Sequence, residues 1–239
     1  MNIKFKKMKP IKSYQHVVDE IVTAVCDGTI KEGDRLPSEM KLKEMFDTSR
    51  GTIREALRVL EQKGLVSIKT GVKGGATIQK ANTKPMSDSV AILIRQKKVS
   101  LKHLAEFRKM MEGHISEQAA KIAEKEDIKK LKNILQEAET HIKTKPSGWK
   151  EFHKMDARFH RVLASIAKNP LIEANLAIVH DNIQIYFHHY LPWSEALLNK
   201  NFKDLCDIVE AVEQQDPAKA RRLAQDHVVR FNELMEKNL

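Results

Sequence analysis

The sequence predicts a mainly α protein in two parts: an N-terminal helix-turn-helix with a small β-hairpin, then an all-α helical bundle. Three observations predict it. Apolar residues recur at helical spacing through most of the 239-residue chain. Residues 65–78 instead carry two short β-prone runs separated by Gly71, Gly74 and Gly75. Ala81–Met86 is polar and broken by Pro85, as a domain linker is. The expected boundaries are 1–81 for the first domain, 82–98 for the linker and first C-terminal segment, and 99–239 for the bundle.

Val17, Val18, Ile21, Val22 and Val25 form the stripe of a first supporting helix that ends at Asp27-Gly28. Lys31-Glu32-Gly33-Asp34 reads as a turn. Pro37-Ser38-Glu39 opens a second, short helix whose apolar positions are Leu42, Met45 and Phe46. Asp47, Thr48 and Ser49 carry short oxygen-bearing side chains suited to capping a third helix. That helix sets Ile53, Ala56, Leu57 and Leu60 on its back and Arg50, Arg54 and Arg58, four apart, on its front. A packed back and an arginine-bearing front suit a reader of the DNA major groove, because a guanidinium can bridge two acceptors on guanine. The same pattern also fits an amphipathic pair with solvated arginines. Lys63-Gly64 stops the helix, Leu65–Ile68 and Ala76–Ile78 are the strands, and a glycine tip around Lys73 can approach another backbone closely.

Charge agrees with a polyanionic partner for the first part. The chain carries a net +10, and residues 1–80 hold 16 Lys/Arg against 10 Asp/Glu. Lysine-rich Met1–Lys12 reads as a solvated tail or a phosphate-touching arm, with no apolar run after it to make a signal peptide. Nowhere does an apolar run approach the ~20 residues of a membrane span. Cys26 and Cys206 are too few for a disulfide framework or a cysteine zinc site. A cytoplasmic protein with reduced thiols is expected.

Beyond the linker, Leu101, Leu104, Phe107, Met111, Ile115 and Ala119 form one stripe, and Ile128, Leu131, Ile134 and Leu135 another. Lys145–Gly148 is a loop. Asn169-Pro170 and Asp216-Pro217 each place a capping residue before a proline suited to a first helical turn. Val209, Val212, Ala220, Leu223, Ala224 and Phe231 continue the core, for six or seven helices in all. Trp149 and Trp193 flank loops and are expected to pack against the bundle.

Gly33-Asp34-Arg35-Leu36-Pro37-Ser38-Glu39, Ser49-Arg50-Gly51-Thr52-Ile53-Arg54-Glu55-Ala56-Leu57 and Gly64-Leu65-Val66 stand in an order and spacing that closely resemble the winged-helix domain of GntR-type bacterial transcription regulators. The resemblance implies that the hairpin is the wing. It implies base contacts from Arg50 and Arg54, a polar contact from Thr52 with Ser49 beside it, and a wing-tip glycine at Gly74. After Glu39 the family usually has arginine, whereas this chain has Met40; Arg35 or Lys41 is the alternative phosphate contact there.

The second part resembles the FCD effector domain of the FadR branch. The matching pieces are Glu106-Phe107-Arg108, Glu112, Asp156–Leu163, Asn169–Ile172, Ala211–Asp216 and Asp226-His227. The resemblance implies a pocket for a small organic acid, often beside a divalent metal held by one Asp and three His. Asp156, His160 and His227 match three of those ligands, and Leu205 stands where the remaining His belongs. His153, His180, His188 or His189 could replace it. Zinc, nickel and manganese all suit such a set; without a metal, the same residues would make a polar network. Arg108 matches a ligand-facing arginine able to grip a carboxylate, and also suits an interdomain contact. Asn182 and His188-His189-Tyr190 fall on a helix expected to face the pocket.

The expected function is a sequence-specific, ligand-responsive transcription regulator, read as a repressor. As a homodimer it would bind a near-palindromic operator, with a small carboxylate as effector bound by Arg108, Asp156, His160 and His227. The alternative is a metal-dependent enzyme using the Asp156/His160/His227 cluster to activate water.

Overall fold

The computed structural model describes residues 13–71, 74–144, 148–191 and 193–238. The lysine-rich start, Lys73 at the hairpin tip, and Lys145–Ser147 lie outside them, as do the side chains of His188 and His189. The chain divides into two compact units, Met1–Pro85 and Met86–Leu239.

The first unit contains α1 (Ser13–Cys26), α2 (Glu39–Met45), α3 (Arg50–Gln62) and strands β1 (Val66–Lys69) and β2 (Gly75–Ile78). Ser38 caps α2 by accepting from the Lys41 amide at 3.3 Å, and Ser49 caps α3 by accepting from the Thr52 amide at 3.0 Å. Between them Asp47 takes φ 43°, the left-handed conformation that Asp tolerates better than most residues and that makes the tight turn. Of the three capping candidates, only Ser49 is the cap. The stripes pack as expected: Val17, Val18 and Ile21 of α1 join Leu42, Ile53, Ala56, Leu57 and Leu60 in one core. Val66, Ala76 and Ile78 close it from the sheet side.

The antiparallel hairpin pairs Val66 with Ile78 and Lys69 with Gly75. Segment 33–36 lies along β2, with Leu36 N donating to Ala76 O and Ile78 N to Asp34 O, both at 2.9 Å. The turn that leads into α2 is therefore fastened to the hairpin by backbone bonds.

Seven helices among the described residues follow: α4 (Lys84–Arg95), α5 (Leu101–Ile122), α6 (Lys125–Lys143), α7 (Trp149–Ile166), α8 (Pro170–Tyr190), α9 (Glu195–Glu213) and α10 (Pro217–Glu236). The expected linker is helical from Lys84, because the Asn82 side chain caps the Lys84 amide at 3.0 Å and Pro85 falls in the first turn, where its missing N–H costs nothing. Asn169 and Asp216 cap α8 and α10 before their prolines.

One large apolar cluster joins α5 through α10, and a second joins α5, α8 and α10. Trp149 packs against both, whereas Trp193 is 44% exposed, contrary to expectation. No helix among the described residues is long and apolar enough to cross a membrane.

Candidate functional site

In the first unit, α3 carries Arg50 at its first position and Arg54 one turn on, with both side chains more than half exposed. Their Nε atoms each donate to the same Oε2 of Glu39, at 2.9 Å. Burial pushes the Glu39 carboxyl up, but the two guanidinium groups outweigh it and hold the carboxyl below its usual range. Ser49 and Thr52 engage each other: besides capping, the hydroxyls lie 2.9 Å apart. A groove of about 440 Å³ runs between α2, α3 and the hairpin, lined by Glu39, Met40, Arg50, Lys69, Gly74 and Gly75 among others.

Two hairpin glycines, Gly74 and Gly75, leave little room for a side chain. A Cβ on Gly74 would lie 2.3 Å from the Lys69 carbonyl oxygen, and Gly75 takes φ 148° against the Arg35 guanidinium. Arg35 Nη2 donates to the Gly74 carbonyl, so this arginine fastens the hairpin tip to the strand-like segment before α2. Met40 is half-exposed at the groove.

In the second unit, charged residues are buried at apolar-stripe positions of α5. Arg108, Glu112 and Ser116 are four apart on the face that also carries Leu104 and Ala119, and all three are fully buried. Arg108 Nε donates to Glu112 Oε1 at 2.6 Å, and His180 Nε2 of α8 lies 3.1 Å from the same oxygen. The other oxygen, Oε2, is 3.0 Å from His160 Nδ1 of α7. Burial pushes the Glu112 carboxyl up, yet Arg108, His160 and His180 hold it well below its usual value. Burial lowers the His160 imidazole to about 4, against the opposite pull of Glu112 and Asp156.

His160 is therefore neutral near pH 7 and carries one ring proton. With Nδ1 facing a carboxylate, that proton is placed on Nδ1 and the Nε2 lone pair faces the other way. On that side Nε2 lies 3.9 Å from Asp156 Oδ1, and His227 Nε2 of α10 lies 3.8 Å from the same oxygen. Asn201 Nδ2 of α9 donates to Asp156 Oδ1 at 3.4 Å. On the far side of His227, Nδ1 is 3.5 Å from Asp204 Oδ2, which is also 2.7 Å from Arg230.

The structure thus brings Asp156, His160 and His227 together, with donor atoms within 4.8 Å of one another, and sets Arg108 behind them through Glu112. Nε2 of both histidines has no hydrogen-bond partner among the described residues. Buried polar atoms are normally partnered, and two imidazoles with one carboxylate suit a divalent ion. The residues fit one. Glu112, His160 and His180 are equally close together, but Arg108 already places a positive charge on Glu112, which opposes a cation there.

Leu205 is fully buried in the main apolar core. His153 does not replace the missing ligand in this arrangement: it stacks on Phe187 at 5.3 Å between centroids and meets Trp149 edge-on at 4.3 Å. Asn182, expected to face the pocket, instead ties α8 to α4, donating to the Ser87 carbonyl and lying within hydrogen-bonding distance of its hydroxyl.

Sequence reasoning gave Glu112, Asn201 and Asp204 no role and left His180 among several alternatives. The available signal was a charged residue recurring every fourth position within an otherwise apolar stripe, at Arg108 and Glu112.

Comparison with known proteins identifies both units of the chain. A model of the gntR family of bacterial regulatory proteins matches residues 13–74, and one of the FCD domain matches residues 103–230. The HTH-type transcriptional repressor NanR of Enterobacter sp. (strain 638) is 27% identical over 224 residues, covering 89% of this chain and 81% of that protein. The HTH-type transcriptional regulator YcbG of Bacillus subtilis is also 27% identical, over 218 residues, covering 90% and 86%. The solved structure of Streptococcus agalactiae GntR superposes with a TM-score of 0.73 at 21% identity, covering 92% of this chain and 99% of that one.

Proposed function

Because the chain belongs to the gntR family of bacterial transcription regulators and carries their FCD effector domain, we propose that it is a cytoplasmic repressor released from, or tightened on, its operator by a small carboxylic acid. As a member of a regulator family it is no enzyme, and the water-activating alternative for Asp156, His160 and His227 is set aside. It acts as a homodimer on a near-palindromic operator, since two recognition helices must meet successive half-sites on one duplex. Arg50 and Arg54 read bases; Ser49 and Thr52 set the start of α3; Arg35 and Gly74 shape the wing.

The observation that carries the effector reading is the enclosed donor group of Asp156, His160 and His227. Counting carboxylates and guanidinium alone, Arg108 is paired with Glu112 and acts more weakly on Asp156, one positive charge against two negative. An anionic ligand entering that site unaided would add a third negative charge in a medium where charge is costly. A divalent ion held by Asp156, His160 Nε2 and His227 Nε2 would supply a Lewis-acidic centre for a carboxylate and reverse that balance to net positive. Glu112 lies against His160 Nδ1, Asp204 lies beside His227, and Leu205, where the resemblance implies a further ligand, is apolar. Such outer partners commonly decide how well a histidine binds metal. An acid that binds the DNA-competent and incompetent arrangements unequally shifts their populations.

The test is metal content of the purified chain together with operator binding, followed by fluorescence anisotropy across a panel of small organic acids, with and without chelator. Stoichiometric metal, and one acid whose effect on DNA binding the chelator abolishes, supports the reading. An acid that acts equally in chelator removes the metal from it, and a panel without effect removes the carboxylate.

A further inference from the structure

On a surface meant to meet DNA phosphates, a carboxylate is a liability. Glu39 nevertheless sits there, at the start of α2, with its side chain about one-third exposed and one oxygen shared by Arg50 and Arg54. Stability does not account for it, because ion pairs this exposed contribute little. The geometry has a definite consequence for recognition. Each arginine has its Nε committed to Glu39, so what remains for DNA is its pair of terminal Nη groups. That pair matches the O6/N7 edge of guanine in a bidentate contact.

We propose that Glu39 is a specificity-determining positioning residue, which holds Arg50 and Arg54 ready for base edges and penalises their use on phosphates. A free arginine must lose rotamer freedom when it makes a two-point contact, and one already held by a neighbour loses less. Phosphate contacts gain nothing from this. On a sequence without matching bases the two arginines would otherwise swing to the backbone, each neutralising a phosphate and releasing counterions. Glu39 competes for those guanidinium groups and repels the phosphates that would replace it. It therefore lowers affinity for arbitrary DNA more than affinity for the right sequence, which is a gain in discrimination. This role rests on the sequence-specific reading given above.

The test uses the full chain. Wild-type protein enriches a duplex from a random library, and anisotropy then gives the affinity of wild type, Glu39→Gln and Glu39→Ala for that duplex and for a scrambled duplex of equal length, at several salt concentrations. Melting temperatures confirm folding, and glutamine keeps the shape of the side chain. Both variants are expected to bind the scrambled duplex about tenfold more tightly, with a salt dependence steeper by about 1–2 phosphates. The affinity ratio between the two duplexes should fall by more than about threefold. A ratio that falls by less, stays or rises overturns the role of Glu39 and leaves sequence-specific binding intact. A wild-type chain that enriches no sequence overturns both.

Discussion

Replacing Leu205 by histidine should restore a fourth metal ligand, and the structure allows the size of the effect to be worked out. Asn201 and Leu205 are four apart on α9, so they share a face, and Asn201 already reaches Asp156 at 3.4 Å. A histidine at 205 therefore points its ring toward the Asp156/His160/His227 group. Without metal the substitution is unfavourable: Leu205 is fully buried, and losing such a side chain forfeits roughly 1.5–3 kcal/mol of burial. An imidazole left without a partner adds about 1–3 kcal/mol more. Metal recovers part of that cost. An added ligand that tightens binding about a hundredfold contributes about 2.7 kcal/mol of linkage stabilisation beyond that of the wild type. The assay is thermal unfolding of both proteins in chelator and in a series of zinc concentrations, with metal affinity by competition. Leu205→His should melt below the wild type in chelator and gain more from zinc. A variant whose zinc-dependent shift equals that of the wild type would refute the placement of residue 205 beside the site.

The remaining predictions concern charge and DNA contact. Glu112→Gln leaves Arg108 buried without its counter-charge and should cost about 3–5 kcal/mol, seen as a lowered denaturation midpoint; wild-type stability would show that Arg108 finds another partner. In metal-free protein, His160 titrates near 4 when folded and about 6.5 when unfolded. The unfolded state thus binds the proton first. The contribution is complete above pH 6.5 and is lost as pH falls toward 4, by about 3 kcal/mol in total. Urea midpoints measured across that window should fall for the wild type and stay flatter for His160→Gln, and parallel curves would exclude His160 as the source. Arg54→Ala should cost about 1–3 kcal/mol on the selected duplex and relax preference at one base; an equal loss on scrambled DNA would assign Arg54 to phosphate.

What the sequence determined by itself was local. Ser38, Ser49, Asn169 and Asp216 cap helices through bonds to amides two or three residues away, so short windows suffice to recognise them. The stripe through Ile53–Leu60 announces its buried face by spacing alone, whereas the buried face of α5 carries Arg108, Glu112 and Ser116 and leaves Phe107 and Met111 only partly buried. Asp156 and His160, one turn apart on a helix, are a pair of the same kind. The helical start at Lys84 was missed because proline reads as a breaker, although Asn82 supplies the cap that makes Pro85 acceptable.

Only the tertiary structure decided which distant groups meet. Glu112 belongs to α5, His160 to α7, His180 to α8, Asp204 to α9 and His227 to α10, and the packing of five helices sets their separations. Glu39 reaches Arg50 and Arg54 across the helix-turn-helix corner, a contact 11 and 15 residues apart in the chain. Ionisation follows from those meetings: burial makes His160 neutral, while Arg108 and the surrounding imidazoles keep Glu112 charged. A residue's local partners are written in its neighbours along the chain, but its electrostatic state depends on the charges and solvent that the completed fold places around it.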